Sequence, residues 1–538
     1  MTESNTPTPP TPPTPAALAS RRGARGRIPL PPAVLARRGG RVLDPSKAGT
    51  FRDRPLLPTA YVADQLLVQG GSTSAMEALV DAARATKHAI GTRSEEPDAY
   101  VERLGDAALG ALASSMWVRR MRLAPDRDKG TPADAWEVLR RYRENVGDTP
   151  QDYTVGLNHL VHLTAPSGGI TGNPLFDGPA LEGSPLFDGP AYFEGNPLFD
   201  GPSESNGALR GRAPLAFLGH PPAPAPGEAR TRRPVVAVLD TGLGEHPWLT
   251  EPWVTLGASV NGQRIGLGPD DPDPELTGVV NDPLGGGLDK DSGHGTFIAG
   301  IVRQVCPDAK VLAIRVMPSD GVVDEHQLTI ALNQLLVRQA QGQLLGRPDE
   351  IVDVMSLSLG YYHESPEDVL YTSALARTLE QLGRLGVCVV ASAGNDSTTN
   401  PMFPAGLAPA GGHGARRGAV PLVSVGALNP NGTVALFSND GDWVSCRRPG
   451  AAVISTFPTT FDGGLEPRRR TRLGEDIDPD DFQGGFGLWS GTSFSAPYLA
   501  GQLADRMFSG GTLDRIDAKS AVTRGWRAVK AEVGWSRP

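Results

Sequence analysis

A chain of 538 residues is long enough for more than one compact domain, and a hydrophobic share of 39% allows a large core, while 66 glycines and 50 prolines point to long irregular segments. A net charge of −9 is small for this length and excludes the strong positive field expected of a nucleic-acid binder. Three cysteines, Cys306, Cys388 and Cys446, lie far apart with no C-x-x-C pair, which excludes a disulfide framework and suits a reducing compartment.

Residues 1–54 read as a disordered Pro/Arg-rich tail. Prolines cluster over Pro7–Pro15, and Arg21, Arg22, Arg25, Arg27, Arg37, Arg38 and Arg41 follow. Such a composition buries too little apolar surface to offset the entropy of ordering. The most apolar stretch near the start, Ile28–Ala36, is broken by Pro29, Pro31 and Pro32 and makes no secretory signal. No stretch reaches the ~18 apolar residues of a membrane span, so a cytoplasmic location is expected.

Residues 55–165 read as a small α+β unit. Tyr61–Val68 patterns as a strand, Ser74–Ala89 as a helix with Met76, Leu79, Val80 and Ala83 on one face, and Trp117–Leu123 as a strand. Asp134–Tyr142 patterns as a second helix and Leu157–Leu163 as a last strand, giving β-α-β-α-β. Residues 166–232 read as a flexible linker. It carries three copies of one motif: Asn173-Pro174-Leu175-Phe176-Asp177-Gly178-Pro179, then Ser184–Pro190, then Asn196–Pro202. The copies are closer than the ~20 residues of the shortest solenoid repeats, and their Pro and Asp-Gly pairs favour turns.

From residue 233 to 510 short valine-rich runs alternate with helical patterns. Val235–Leu239, Val311–Val316, Ile351–Leu357, Val387–Ala391 and Val423–Val425 suit parallel strands buried on both faces. Between them, Ser365-Pro366-Glu367-Asp368 carries the signals of a helix start. The alternation implies a doubly wound α/β domain with helices on both faces, whose ligands bind at the carboxyl ends of the strands. Residues 511–538 read as a helical extension.

Three segments carry chemistry. Val235–Gly242 ends a buried strand on Asp240. Asp291–Gly300 flanks His294 with glycines, which lets backbone and substrate come close. Ser490–Pro497 sets Ser493 among small residues at a helix start. Together these segments resemble the motifs of the subtilisin-like (S8) serine peptidases, in that family's order of Asp, His and Ser. Asp240, His294 and Ser493 are then the expected catalytic triad of a serine endopeptidase, with roles carried over from the subtilisin pattern. Ala391-Ser392-Ala393-Gly394-Asn395 resembles the family's oxyanion segment, which gives Asn395 the role of amide donor.

The resemblance extends to a substrate cleft. Ser358, Leu359 and Gly360 match one wall, and Gly321, within Ser319–Val323, the opposite edge; an extended peptide would add between them as a strand. Tyr361 and Tyr362 depart from the small residues expected beside that wall. His159, His162 and His413 have no partner pattern and read as structural or exposed. The resemblance implies a peptide or protein substrate and no required cofactor. Calcium is known in loops of such enzymes, but neither Asp270–Glu275 nor Glu475–Asp481 has recognisable ligand spacing, so both read as solvated and no metal residue is assigned. A non-catalytic peptide binder on the same fold would have lost a triad member, and none is missing here. The strand and helix order of 55–165 also resembles the propeptides of such enzymes. It suggests an intramolecular inhibitor, relieved by cleavage between about Pro166 and Arg233.

Overall fold

The computed structural model describes residues 30–48, 50–51, 54–69, 73–92, 104–125, 132–147, 154–164, 212–224, 231–366, 373–467 and 469–538. The three Pro-Leu-Phe-Asp-Gly-Pro copies lie outside the described residues, as does the expected cleavage stretch up to residue 211.

The described residues begin inside the segment read as a tail. Helix α1 (Pro32–Arg37) starts with a proline whose missing N–H costs nothing there, and β1 (Gly40–Leu43) pairs antiparallel with β2 (Thr59–Gln69). What composition hid is a small apolar patch: Leu30, Val34 and Leu35 pack on Ala60, Val62, Leu160 and Val322. Next come α2 (Thr73–Ala85), β3 (His88–Thr92), α3 (Ala107–Met116), β4 (Val118–Pro125), α4 (Ala135–Val146) and β5 (Val155–Leu163). Asp134 caps α4 by accepting from Trp136 N, as a short side chain before an apolar helix should. The sequence reading ran α2 into β3 and missed α3. Lys87, at φ 62°, turns the chain between helix and strand, and nothing in its residue type announces that. In α3 the Ala- and Ser-rich run gives little amphipathic contrast, although Asp106 caps it.

The second body holds a seven-stranded sheet. Its strands in chain order are β7 (Val235–Asp240), β8 (Val254–Leu256), β9 (Lys310–Arg315), β11 (Val354–Leu357), β13 (Cys388–Ser392), β15 (Val423–Leu428) and β16 (Cys446–Pro449). Spatially the order is β8-β9-β7-β11-β13-β15-β16, and every neighbouring pair is parallel. Buried valines on both faces explain the choice: helices cover each side, as parallel strands require. One face receives α6 (His294–Val305), α9 (Thr492–Ser509) and α10 (Ala518–Val533); the other receives α7 (Glu325–Leu345) and α8 (Ala374–Arg384). The helix expected from Ser365 is described from Ala374, N-capped by Ser373. Cys306 and Cys388 are fully buried, as small apolar residues are. Among the described residues no helix is long and apolar enough to cross a membrane.

The two bodies share strands. β5 lies between β10 (Val322–Asp324) and β12 (Leu359–Tyr362), antiparallel to both, and so joins the N-terminal sheet to the edges of the second body. β14 (Met402–Phe403) extends that sheet beyond β12. A further arm, β6 (Ala213–Leu215), comes from the segment read as linker. It pairs with β18 (Phe486–Trp489), which pairs in turn with β17 (Val453–Thr456). Arg212 anchors the arm: its buried guanidinium donates to the carbonyls of Ser292 and Asp289 and stacks on Trp489.

Candidate active site

Asp240 is the last residue of β7, at the carboxyl edge of the sheet, and is 1% exposed. His294 opens α6, whose Phe297, Ile298, Ile301 and Val302 are buried; each is worth about 1.5–3 kcal/mol and together they fix where the helix begins. Gly293 precedes it at φ 82°, where a side chain would strike the ring of Phe457. His294 Nδ1 lies 2.7 Å from Asp240 Oδ1. Asp240 Oδ1 also accepts from Thr241 N at 2.8 Å. Trp489 meets the imidazole edge-on at 5.5 Å and Phe494 packs at 5.6 Å, so the pair sits in an apolar wall. Burial disfavours the imidazolium, but the charge and hydrogen bond of Asp240, with Asp291 and Glu275 behind it, outweigh that and raise the His294 pKa.

Ser493 is the second residue of α9, near the positive end of that helix. Pro497 stands four residues further on, deeper in the helix than a first-turn proline. It has no N–H to give the Ser493 carbonyl, and Ser358 Oγ supplies the missing donor at 2.8 Å. The oxyanion candidate is equally well fixed. Asn395 Oδ1 accepts from Thr492 N at 2.9 Å, which aims its Nδ2 into the cleft.

That Nδ2 donates to the carbonyl oxygen of Thr164, the residue that follows β5. Thr164 N donates to Ser358 O at 3.1 Å, and Leu163 N donates to Gly321 O at 3.0 Å. Leu359 pairs with Leu163 and Gly360 with His162. The residues expected at the cleft, Ser358, Leu359, Gly360 and Gly321, therefore all meet one strand, and it comes from this same chain. Gly321 holds φ 66°, and a side chain there would run into the Asp291 carboxylate. Thr164 Oγ1 lies 2.7 Å from Ser493 Oγ and 2.6 Å from Ser392 Oγ. His294 Nε2 is buried and has no hydrogen-bond partner among the described residues.

Behind the cleft lies a network that the sequence reading passed over. His159, in β5, lies 2.6 Å from Glu325 and 2.9 Å from Glu364 of the second body, and Arg143 of α4 pairs with Glu364 at 3.1 Å. All four are buried. The ring of His159 stacks on Tyr361 at 4.5 Å, so Tyr361 packs against the inserted strand. Burial alone would lower the His159 pKa, but its hydrogen bonds to the Glu325 and Glu364 carboxylates, which accept from the ring N–H groups, hold it up at about 9. His162, buried without a carboxylate partner, is pushed down to about 4. His159, His363 and Glu364 are close enough to hold a metal ion, yet two cations and two carboxylates already balance there.

Several residues with evident parts in this arrangement escaped the sequence reading. Thr164 ends a strand just before the repeat-bearing segment, and that position was its only signal. Glu275 stands in a stretch whose composition reads as a solvated acidic loop, but it is 0% exposed. Arg212 stands in the stretch whose composition reads as linker.

Comparisons with known proteins identify the family of the second body. Residues 231–507, just over half of the chain, match the family model described as the subtilase family. The intracellular serine protease of Paenibacillus polymyxa is 26% identical over 291 residues, which is 52% of this chain and 67% of that protein. The minor extracellular protease Epr of Bacillus subtilis is 26% identical over 177 residues, 31% of this chain and 23% of that protein. Among solved structures, fervidolysin from Fervidobacterium pennivorans aligns with 84% of this chain and 55% of its own, at 18% identity and a TM-score of 0.44. The family match falls on the parallel-sheet body that brings Asp240 to His294 and sets Ser493 beside the cleft: the chain belongs to the subtilase family and is a serine-type endopeptidase.

Proposed function

We propose that Asp240, His294 and Ser493 are the triad of this endopeptidase, that residues 30–164 are its built-in inhibitor, and that its first substrate is its own Thr164–Ala165 bond. The carrying observation is the pair of contacts at Thr164: its carbonyl oxygen accepts from Asn395 Nδ2 while its side chain lies against Ser493 Oγ. This puts the expected cut just ahead of the stretch from Pro166 to Arg233 that the sequence suggested.

Each step follows from the groups at hand. The Ser493 side chain turns from Thr164 Oγ1 toward His294 Nε2, which no other group engages among the described residues. Ser493 Oγ attacks the carbonyl carbon as His294 Nε2 takes its proton, and Asp240 stabilises the imidazolium through Nδ1. The developing oxyanion meets Asn395 Nδ2. His294 then gives the proton to the leaving nitrogen of Ala165, the C–N bond breaks, and Thr164 is left esterified to Ser493. Water, deprotonated by His294, releases the new carboxylate. Other peptides would take the path of β5 between Gly321 and Ser358–Gly360.

Inhibition outlasts the cut because the strand pairing and the His159 network do not depend on the bond. Arg38 adds a grip at the cleft edge, donating to Asp320 at 3.0 Å and 2.5 Å. Before the cut the tether gives the inhibitor a high local concentration; afterwards it can leave.

Neither of the two acidic stretches brings three ligand atoms within reach of one ion among the described residues. In the first, Asp273 caps a turn and pairs with Arg315, and Asp271 accepts from Gly268 N, so those carboxylates are engaged. In the second, burial and the nearby Asp478 and Asp462 push Asp480 up to about 7, and Asp480 Oδ1 is buried without a partner among the described residues. Asp480 Oδ2 accepts from Leu465 N, Asp478 Oδ1 from Asp480 N and Asp462 Oδ2 from Gln483 Nε2, so these carboxylates are engaged as well.

A fluorophosphonate probe tests the triad, since it labels only an activated serine. Labelling at Ser493 once the N-terminal unit is removed, and none in Ser493→Ala, is the expected result. An unlabelled, correctly folded parent would overturn the reading.

A further inference from the structure

Glu275 sits in a four-residue helix, α5 (Pro274–Thr277), and its carboxylate turns inward beneath the Asp240–His294 pair. Two threonine hydroxyls reach it. Thr296 Oγ1, in α6, lies 2.6 Å from Glu275 Oε2, and Thr241 Oγ1 hydrogen-bonds Glu275 Oε1. Both hydroxyls already accept backbone N–H groups: Gly244 N on Thr296 at 2.7 Å, and Gly295 N on Thr241 at 2.8 Å. Each therefore has one proton to give. Thr296 has Glu275 as its acceptor. Thr241 has two claimants, because Asp240 Oδ1 lies 3.2 Å from the same oxygen.

The charges around Glu275 leave it exposed to that competition. Asp240 and Asp273 face it with like charge. Arg315 is the nearby cation, but its guanidinium is committed to the carbonyls of Gly268, Asp271 and Pro272 and to Asp273 at 3.5 Å. Among the described residues Glu275 has no ion pair. Its own titration moves with the site: burial raises it to about 7, against the pull of the two threonines.

We infer that Glu275 is a positioning residue for the Asp240–His294 pair, acting through the single proton of Thr241. When Glu275 is ionised it takes that proton, and Asp240 keeps its full charge for the imidazole. When Glu275 is neutral its own O–H donates to Thr241, Thr241 donates to Asp240, and Asp240 becomes a weaker partner of His294. The neutral state also removes a negative charge from behind the histidine. Both effects lower the affinity of His294 for its proton, so the base stays neutral further into acid just as Glu275 protonates. The inference deepens the triad reading and rests on it for its consequence in catalysis.

Glu275→Gln is the informative variant. Its amide can accept from Thr296 and donate to Thr241, which copies the neutral carboxyl without a void. The test is an NMR titration of His294 in the full-length chain carrying Ser493→Ala, which keeps the precursor uncut and reads the imidazole whether or not the enzyme is active. Adding Glu275→Gln should lower the His294 pKa by about half a unit to one unit. In the active enzyme the acid limb of kcat/KM should move down by the same amount, with kcat several-fold lower and KM little changed. Thr241→Ser should keep the shift, and Thr241→Val should remove most of the further effect of Glu275→Gln. An unchanged His294 pKa in Glu275→Gln, in a chain with unaltered melting, overturns the inference and leaves the triad assignment standing; loss of probe labelling in the parent would overturn the triad and not the titration.

Discussion

Asn395 is held from one side by Thr492 N and spends its amide on the carbonyl in the cleft. A donor fixed in advance gains most when charge appears on that oxygen, so Asn395→Ala should lower kcat by about 10²–10³ with KM little changed. Steady-state kinetics on a small peptide checks it; a loss in KM alone would mean that Asn395 only binds substrate. The residues proposed for catalysis, Asp240, His294, Ser493 and Asn395, could be picked out in the sequence because each stands in a contiguous motif whose neighbours must be small. Glu275 could not. Its acidic surroundings predict solvent, and only the fold turns this one carboxylate inward while Asp270 and Asp271 stay at the surface. Thr164 is similar: its residue type is common in strands, and its place in the cleft is set by pairing with residues about 160 to 200 positions away.

Among the elements, β5 carries both the strand that fills the cleft and the histidine that bridges the two bodies. Its pattern was read as a strand from Leu157 to Leu163, and it runs from Val155 to Leu163. What periodicity could not convey is that every residue of it is buried: Val155 and Leu157 pack in the N-terminal core, and further along the strand Val161 and Leu163 pack in the core of the second body. The His159 pKa is raised in the docked state, to about 9 from an ordinary ~6.5. Its contribution to docking is therefore complete below about pH 6.5 and is lost as pH climbs through about 9. After the cut, inhibition by the N-terminal unit should weaken several-fold between about pH 7 and about pH 10, measured as the inhibition constant against a small substrate. His159→Gln should flatten that dependence. Breaking the network from the other side, Glu364→Gln leaves Arg143 and His159 short of a buried partner, a loss of about 3–5 kcal/mol. That variant should shorten the lag before activity appears; an unchanged lag would mean the network holds no part of the docking.

The whole molecule divides where the sequence changes character, but not at the boundaries that composition suggests. Proline and arginine made 1–54 look uniform, yet residues 30–43 add a helix and a strand to the N-terminal unit through three apolar side chains. Arg212 and β6 likewise extend the second body upstream of residue 233, held by a cation over Trp489 and by a sheet edge. Such short attachments leave too little periodicity to read. They matter for where a cut is tolerated: removal of residues up to 211 should leave the protease stable, whereas removal up to 230 should lower its melting temperature by several degrees, because the buried Arg212 contacts and β6 are lost.

Thr164 is the residue on which self-processing turns, and the most direct measurement is the identity of the termini made when the purified chain is left to process itself. Intact-mass analysis and N-terminal sequencing should find one fragment ending at Thr164 and another beginning at Ala165, and only full-length chain in Ser493→Ala. A first cut at any other bond, or the same cut in the Ser493→Ala protein, would contradict it.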